Sequence, residues 1–404
     1  MKLLYSDTED RLKVTRVNLD RKMVSNDTAE VMNFGENNDY PNTIERIVQS
    51  SVTASAIRDI NARFLSGQGF ANDAINDIVV AKDIKKKDVT VRDILRQVAA
   101  SAALNYGVYV KTKVNANLKI SDPQVLPFKN CRFGKVDDSG YIAKVLYYDK
   151  WAKDNAGSFK KDKDSKKIAT YPMFDLSEAT IAAQMRRYGA PEQHPGQVYF
   201  HAWDNAFLYP LSPFDPVYLD ADSEWQISLF KNREIRNGFM LQYIMRVMEP
   251  ESDEARDALV KKIQGLQGAD GDRVLLMTDE IDPETGQIKE TGAFKLDKVE
   301  SNINDKLFEQ WEQALTNKIR KANKALPAVL IDYEASALGN TSGEAIQQAV
   351  AFYNAMTSED RAHMSRMFRD IFKHSVIPEL AANTNWDIVP LQLFQPSQPV
   401  TQTI

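Results

Sequence analysis

Four histidines, one cysteine and two glycine-bearing stretches hold most of the residue types from which this chain could assemble a reactive or ligand-binding site. His194, His201, His363 and His374 are scattered. None falls in a His-Glu-x-x-His pattern or a Cys/His cluster with ligand spacing, so no metal site is legible. His363 and His374, eleven residues apart on predicted helices, read as solvated or capping groups. Gly67 and Gly69 lack the third glycine and the preceding strand of a dinucleotide fingerprint, and read instead as a helix stop. Gly339-Asn-Thr-Ser-Gly343 has the outline of a phosphate loop, but no lysine follows its second glycine to reach a phosphate. Cys131 is alone, cannot close an internal disulfide and fits a reducing compartment. These residues specify no enzyme and no cofactor.

Charge is more informative. Between Glu249 and Glu290 twelve Asp/Glu face five Lys/Arg, a local net of −7 against −5 for the whole chain. The opposite cluster is Lys318, Arg320, Lys321 and Lys324, at the C-terminal end of a long predicted helix. There positive charge complements the helix dipole and acidic neighbours, or else faces a polyanion. Trp151–Lys167, rich in Lys, Asp, Ser and Gly, reads as an exposed loop rather than a nucleic-acid patch. A pI near 5.6 excludes the global basic excess of a tight nucleic-acid binder. With 404 residues, 43% of them apolar and 26% charged, the chain is globular and long enough for two or three domains. No stretch approaches the roughly 20 apolar residues of a membrane span, and Asp7 interrupts any secretory signal.

The elements that position these groups follow from period and punctuation. A loose alternation at Leu12, Val14, Val17 and Leu19 predicts a short strand or arm. A dense turn at Phe34–Asn42 precedes a helix opening near Pro41. Ser51 or Thr53 caps a second helix that Gly67 stops, and a third runs over Val91–Tyr106. Strands are predicted at Tyr106–Val114, Gly140–Tyr148 and Val198–Ala202. A helix over about 220–236 leads into a strand at Phe239–Met248, a helix at Asp253–Leu266 and a strand at Arg273–Met277. A long helix follows at Asn304–Lys324, with Leu307, Trp311, Leu315 and Ile319 at four-residue steps. Ala325–Gly343 is a loop, helices run over Ser342–Met356 and Glu359–Phe372, and a strand is expected at Trp386–Phe394. The aromatic stripe Phe352, Tyr353 and Met356 reads as core before interface.

The order of these parts carries a resemblance. Phe34-Gly-Glu-Asn-Asn-Asp-Tyr-Pro41, followed by a helix pair ending in Ala62-Arg-Phe-Leu-Ser-Gly-Gln-Gly-Phe70, resembles the N-terminal segment of tailed-bacteriophage portal proteins. Asn105-Tyr-Gly-Val-Tyr-Val110, Leu126-Pro-Phe128, Arg132-Phe-Gly134 and Tyr147-Tyr-Asp-Lys-Trp151 continue it. Arg236-Asn-Gly-Phe239 and Leu338-Gly-Asn-Thr-Ser-Gly-Glu-Ala345 extend it over about residues 34–376. The flavour is that of portals from phages and prophages of Bacteroidetes-type hosts. The resemblance implies an α+β fold with a mixed α/β wing (1–219), a first stem helix (220–237) and a small αβ clip (238–300). A second stem helix (301–324), a tunnel loop (325–343), and wing helices with a C-terminal strand and tail (344–404) complete it; any crown is short or absent.

That family's work implies a homododecameric ring at one capsid vertex, seated against the major capsid protein. It is the head-to-tail connector, through which double-stranded DNA is packaged and ejected without sequence specificity. The ring is assembled in the host cytoplasm, ends up in the virion, touches no membrane, and uses no cofactor, metal or catalytic residue. The resemblance places Tyr333, Ser336, Asn340, Thr341 and Ser342 in a tunnel loop against DNA, where an ordinary helix-to-helix connection is the alternative. It places Lys318, Arg320, Lys321 and Lys324 near the channel. Asp253, Glu254, Asp270, Asp272, Asp279 and Glu280 fall in the clip, which docks the terminase large subunit and then a head–tail adaptor. A net acidic lining suits such a channel, because each phosphate contact adds affinity that resists sliding. Two other readings stand beside it: a different ring-forming connector or minor capsid protein, and a metal-dependent nucleic-acid-processing enzyme, which would need a clustered acidic metal site.

Overall fold

The computed structural model describes residues 21–151, 168–236, 243–247, 294–298, 305–331 and 343–392, apart from 22, 27–29, 36, 116, 118, 138–139, 189–192 and 205–206. The chain opens with strands β1 (Met23–Asn26) and β2 (Val31–Phe34), then helices α1 (Tyr40–Ser50), α2 (Val52–Ser66) and α3 (Asp73–Asn76). Strands β3 (Val79–Lys82) and β4 (Asp88–Thr90) form a hairpin before α4 (Val91–Asn105). Next come β5 (Gly107–Val114), β6 (Ile120–Leu126), β7 (Cys131–Phe133), β8 (Lys144–Tyr147), β9 (Ala169–Pro172), α5 (Glu178–Tyr188) and β10 (Gln197–Ala202). Helix α6 (Tyr218–Arg236), strands β11 (Tyr243–Val247) and β12 (Phe294–Lys298), and helix α7 (Asp305–Ala322) follow. The chain closes with α8 (Gly343–Met356), α9 (Ser358–Phe372) and α10 (Pro378–Ala381). The fold is α+β, with antiparallel sheets ordered β10-β5-β6 and β7-β8-β9 and separate pairs β1-β2, β3-β4 and β11-β12.

Local chemistry sets the ends of α2 and the start of α4. Ser51 Oγ accepts from the Ala54 N–H at 3.0 Å, capping α2. Thr90 and Asp93 close a reciprocal capping box on α4, and those hydrogen bonds hold the Asp93 carboxyl below its usual range. Gly67 ends α2 with φ of 51°, and a Cβ there would lie 2.0 Å from the Val389 carbonyl oxygen, so glycine is required.

Internal contacts divide the chain into two units. The larger joins residues 18–221 to 316–404. Its main core packs the apolar face of α4 (Ile94, Leu95, Val98, Ala102) and that of α9 (Met364, Phe368, Ile371, Phe372) with Val108 and Val110 of β5. Trp386 seals it, stacked on Phe372 at 5.2 Å and edge-on to Phe70 at 5.1 Å. Burial of such apolar faces is the main stabilising term, at about 25 cal/mol per Å2. Among the described residues the smaller unit draws on 222–315, so its bounds fall inside α6 and α7.

Several expectations need correction. The strand expected at Trp386–Phe394 is, over its described part, one bridge from Ile388 to Phe70; Trp386 is instead a core anchor with 0% exposure. Trp151, expected at the edge of an exposed loop, is buried against Tyr148, with its indole N–H donating to the Asn130 carbonyl at 2.8 Å. Helix α5 was not anticipated, because Ile181 is its one buried side chain and leaves little apolar period to read. The helix expected at Asp253–Leu266 and the strand at Arg273–Met277 lie outside the described residues, as does the arm at Leu12–Leu19. The described partner of β11 is β12, with Tyr243 opposite Lys298 and Val247 opposite Phe294.

Candidate functional site

The motif residues converge on a structural hub in the larger unit. Asn38 adopts a left-handed φ of 55°, which asparagine tolerates better than most residues. Its side-chain oxygen accepts from the Phe34 N–H at 3.0 Å and from Arg132 Nε. Arg132 is fully buried, and its remaining donors reach the carbonyls of Asn38 (2.9 Å), Cys131 (2.7 Å) and Lys129 (3.0 Å). Desolvation pulls its pKa down, because burial penalises the charged form. Tyr209 stacks on Phe34 and Phe133, accepts from the Phe133 N–H and donates to the Met32 carbonyl, each at 2.7 Å. Tyr40 stacks on Phe34 and donates to Asp215, which also receives Arg21 at 2.8 Å. The segments Phe34–Pro41 and Arg132–Gly134 therefore carry packing and hydrogen bonds.

The charged elements are built on α6 and α7. In the smaller unit Lys231 meets Glu312 at 2.6 Å, and Phe230 stacks on Phe308 with ring centroids 5.5 Å apart. In the larger unit Lys318 meets Asp220 at 3.0 Å. Within the smaller unit the Lys231–Glu312 and Phe230–Phe308 contacts set α6 beside α7. The antiparallel β11–β12 pair follows one helix and precedes the other in sequence. Trp225 and Trp311 stay 39% and 49% exposed, an apolar surface that the helix pair leaves uncovered.

The four basic residues at the end of α7 are separated by the fold. Lys318 is exposed and paired with Asp220, and Lys321 is exposed. Arg320 turns back, donating from Nε to the Leu326 carbonyl at 3.0 Å and from Nη1 to Asn317 Oδ1 at 2.9 Å. Lys324 lies past the helix end with φ of 56°; its ammonium is bound to Asp360 and stands 5.8 Å from the Tyr106 ring. Burial pushes the Lys324 amine down to about 8. A cavity of about 10 Å3, roughly one water molecule in size, lies among Lys324, Asp360, Asn61 and Tyr106.

The histidines separate similarly. His201 Nε2 on β10 lies 3.3 Å from His363 Nδ1 on α9, so His363 is neither a cap nor simply solvated. Burial first, then His363 and Arg366, push the His201 pKa down to about 4. His194 accepts the Gly196 N–H on Nδ1 and meets Gln184 through Nε2. Among the described residues no three His, Cys, Asp or Glu side chains gather closely enough to hold a metal ion. Nor, among them, is any helix long and apolar enough to cross a membrane. Burial pushes the Cys131 thiol up, away from the reactive thiolate. Tyr333, Ser336, Asn340, Thr341 and Ser342 lie outside the described residues, as do Asp253, Glu254, Asp270, Asp272, Asp279 and Glu280.

No protein-family model matches the chain, and no curated protein does. Solved structures similar to it include the neck of an empty GTA particle computed with C6 symmetry (TM-score 0.47, 12% identity, 83% of this chain and 81% of that one). The virion of the native gene transfer agent particle is similar at TM-score 0.43 and 12% identity, over 82% and 81% of the two chains. An HK97-family phage portal protein from Corynebacterium diphtheriae is similar at TM-score 0.38 and 10% identity, over 76% and 84%.

Proposed function

We propose that this chain is a phage portal protein: the subunit of a ring at one capsid vertex, through which double-stranded DNA is packaged and ejected. The observation that carries the reading is that α6 and α7 meet side by side within the smaller unit, with the β11–β12 pair between them in sequence. Two rods bracketing a small module form the stem–clip–stem order that the sequence motifs imply. The role is structural, and no catalytic step is assigned to any residue. In this reading the ring closes because one face of each subunit meets the opposite face of the next, and the count of twelve is what the family resemblance implies. The exposed Trp225 and Trp311 are suited to such faces. It is assembled in the host cytoplasm and set against the major capsid protein.

Within that ring, residues 325–343 are the tunnel loop, and Tyr333, Ser336, Asn340, Thr341 and Ser342 contact DNA. Of the basic cluster, Lys318 and Lys321 are exposed toward solvent and suit channel lining, whereas Arg320 and Lys324 shape the turn that feeds the loop. The acidic clip, with Asp253, Glu254, Asp270, Asp272, Asp279 and Glu280, docks the terminase large subunit and later a head–tail adaptor through a basic surface on each, which governs encounter and register. Native mass measurement with negative-stain imaging of the purified chain tests the reading. A closed ring with a central hole wide enough for duplex DNA is expected, and a compact monomer at micromolar concentration would overturn it.

A further inference from the structure

The β3–β4 hairpin presents a surface that the fold does not use. Its base is rooted: Ile78, Val80 and Val89 pack against the main core, Ala81 is buried, and the Val91 N–H donates to the Ile78 carbonyl at 3.0 Å. Its tip has one definite shape. Asp83 Oδ1 accepts from the N–H groups of Lys85 and Lys87, both at 2.8 Å, and the Asp83 carbonyl accepts from Lys86, which takes a left-handed φ of 63°. The Asp83 carboxylate is thereby turned onto backbone. Lys82 is paired with Asp88 at 3.3 Å, whereas among the described residues no ion pair engages Lys85, Lys86 or Lys87. Four lysines against two aspartates over 82–88 give the tip a net charge of +2 on a chain of −5. At its apex Ile84 is 99% exposed, an apolar side chain that contributes nothing to the core.

We propose that this tip is a contact surface for the backbone of double-stranded DNA, with Lys85, Lys86 and Lys87 on phosphates and Ile84 against the sugar edge of a groove. Three adjacent cations, none of them in an ion pair among the described residues, match a polyanion, and the fixed turn leaves only their side chains to be ordered on binding. A lipid surface fits less well, because the tip has no aromatic residue and a single apolar side chain to seat in the interface. The portal reading supplies the identity of the polymer, so the proposal rests on that reading, but its test is separate.

The full-length protein would be titrated into a labelled DNA duplex, read by fluorescence anisotropy across NaCl concentrations. Three phosphate contacts predict a log–log salt slope of about −2.7, which is about a 40-fold loss of affinity over a fourfold rise in salt. Changing Lys85→Glu, Lys86→Glu and Lys87→Glu together is expected to lower low-salt affinity at least ~10-fold with an unchanged melting temperature, since the tip is solvent-exposed. The same charge change at exposed Lys150, Arg186 and Arg187 is expected to have a much smaller effect. Ile84→Ser is expected to weaken binding without altering the slope. Equal losses from the two triple variants overturn the proposal, as does wild-type binding to phosphatidylglycerol vesicles but not to duplex. Closed rings without hairpin-dependent binding overturn this proposal alone, whereas hairpin-dependent binding by a monomer overturns the portal reading alone.

Discussion

His201 and His363 stand 162 positions apart in sequence yet meet at 3.3 Å, in a site whose burial, more than the contact itself, decides how His201 titrates. An unperturbed imidazole titrates near 6.5. Burial and the neighbouring His363 and Arg366 bring His201 to about 4 in the folded chain. Between those values the unfolded chain binds a proton that the folded chain refuses, so stability falls as pH drops from about 6.5 toward 4. His201→Asn should flatten that limb, removing on the order of 2 kcal/mol of pH dependence in urea unfolding compared at pH 7 and pH 4.5. An unchanged pH dependence in the variant would refute the assignment. The sequence offered His201 as one of four scattered histidines, since no local spacing marks a pair made across a strand and a helix. Arg132 is similar: the Arg-Phe-Gly motif was visible, but that its guanidinium is wholly buried on Asn38 and carbonyl oxygens was not.

Elements were legible wherever their determinants are local. The Ser51 cap and the Gly67 stop act within a few residues, and α2 begins and ends close to where those signals put it, as α4 does where its apolar period runs. Strand β12 was missed because its pairing with β11 spans 55 positions from Tyr243 to Lys298, and five alternating residues carry little signal without the partner. The end of α7 is set by backbone that periodicity does not mark. The basic run reads as the C-terminal end of one long helix, and past Ala322 Lys324 and Ala325 both take left-handed backbone, with φ of 56° and 49°. An alanine there carries about 1–2 kcal/mol of strain that glycine lacks. Ala325→Gly should therefore raise unfolding stability by about 0.5–1 kcal/mol, after allowing for glycine's greater unfolded-state entropy. Chemical denaturation would show it, and a loss of stability would mean that this turn is not the native one.

On the scale of the whole molecule, the residues that form the main core all belong to the unit built from 18–221 and 316–404. Deleting 249–290 removes no member of it. The deletion should leave the near-ultraviolet dichroism from Trp386 and its aromatic neighbours in place while abolishing capture of a head–tail adaptor. Collapse of that signal would show that the acidic segment is needed for the main core to fold. Adaptor still bound would place the docking surface elsewhere.

The amino-acid sequence by itself determined the longer helices with a clear apolar period, the Ser51 cap and Gly67 stop of α2, the acidic and basic clusters and the lack of any metal-ligand spacing. Each of these is written within a turn or two of chain, where hydrogen bonding and apolar period act directly. Tertiary structure alone decided that Trp386 seals the main core, that Asn38 and Arg132 meet across 94 positions, and that Asp360 takes Lys324 from the basic run. It also left Ile84 in water at the head of a rooted hairpin. Burial and ion pairing depend on which distant segments come together, and no local pattern of residues encodes that choice.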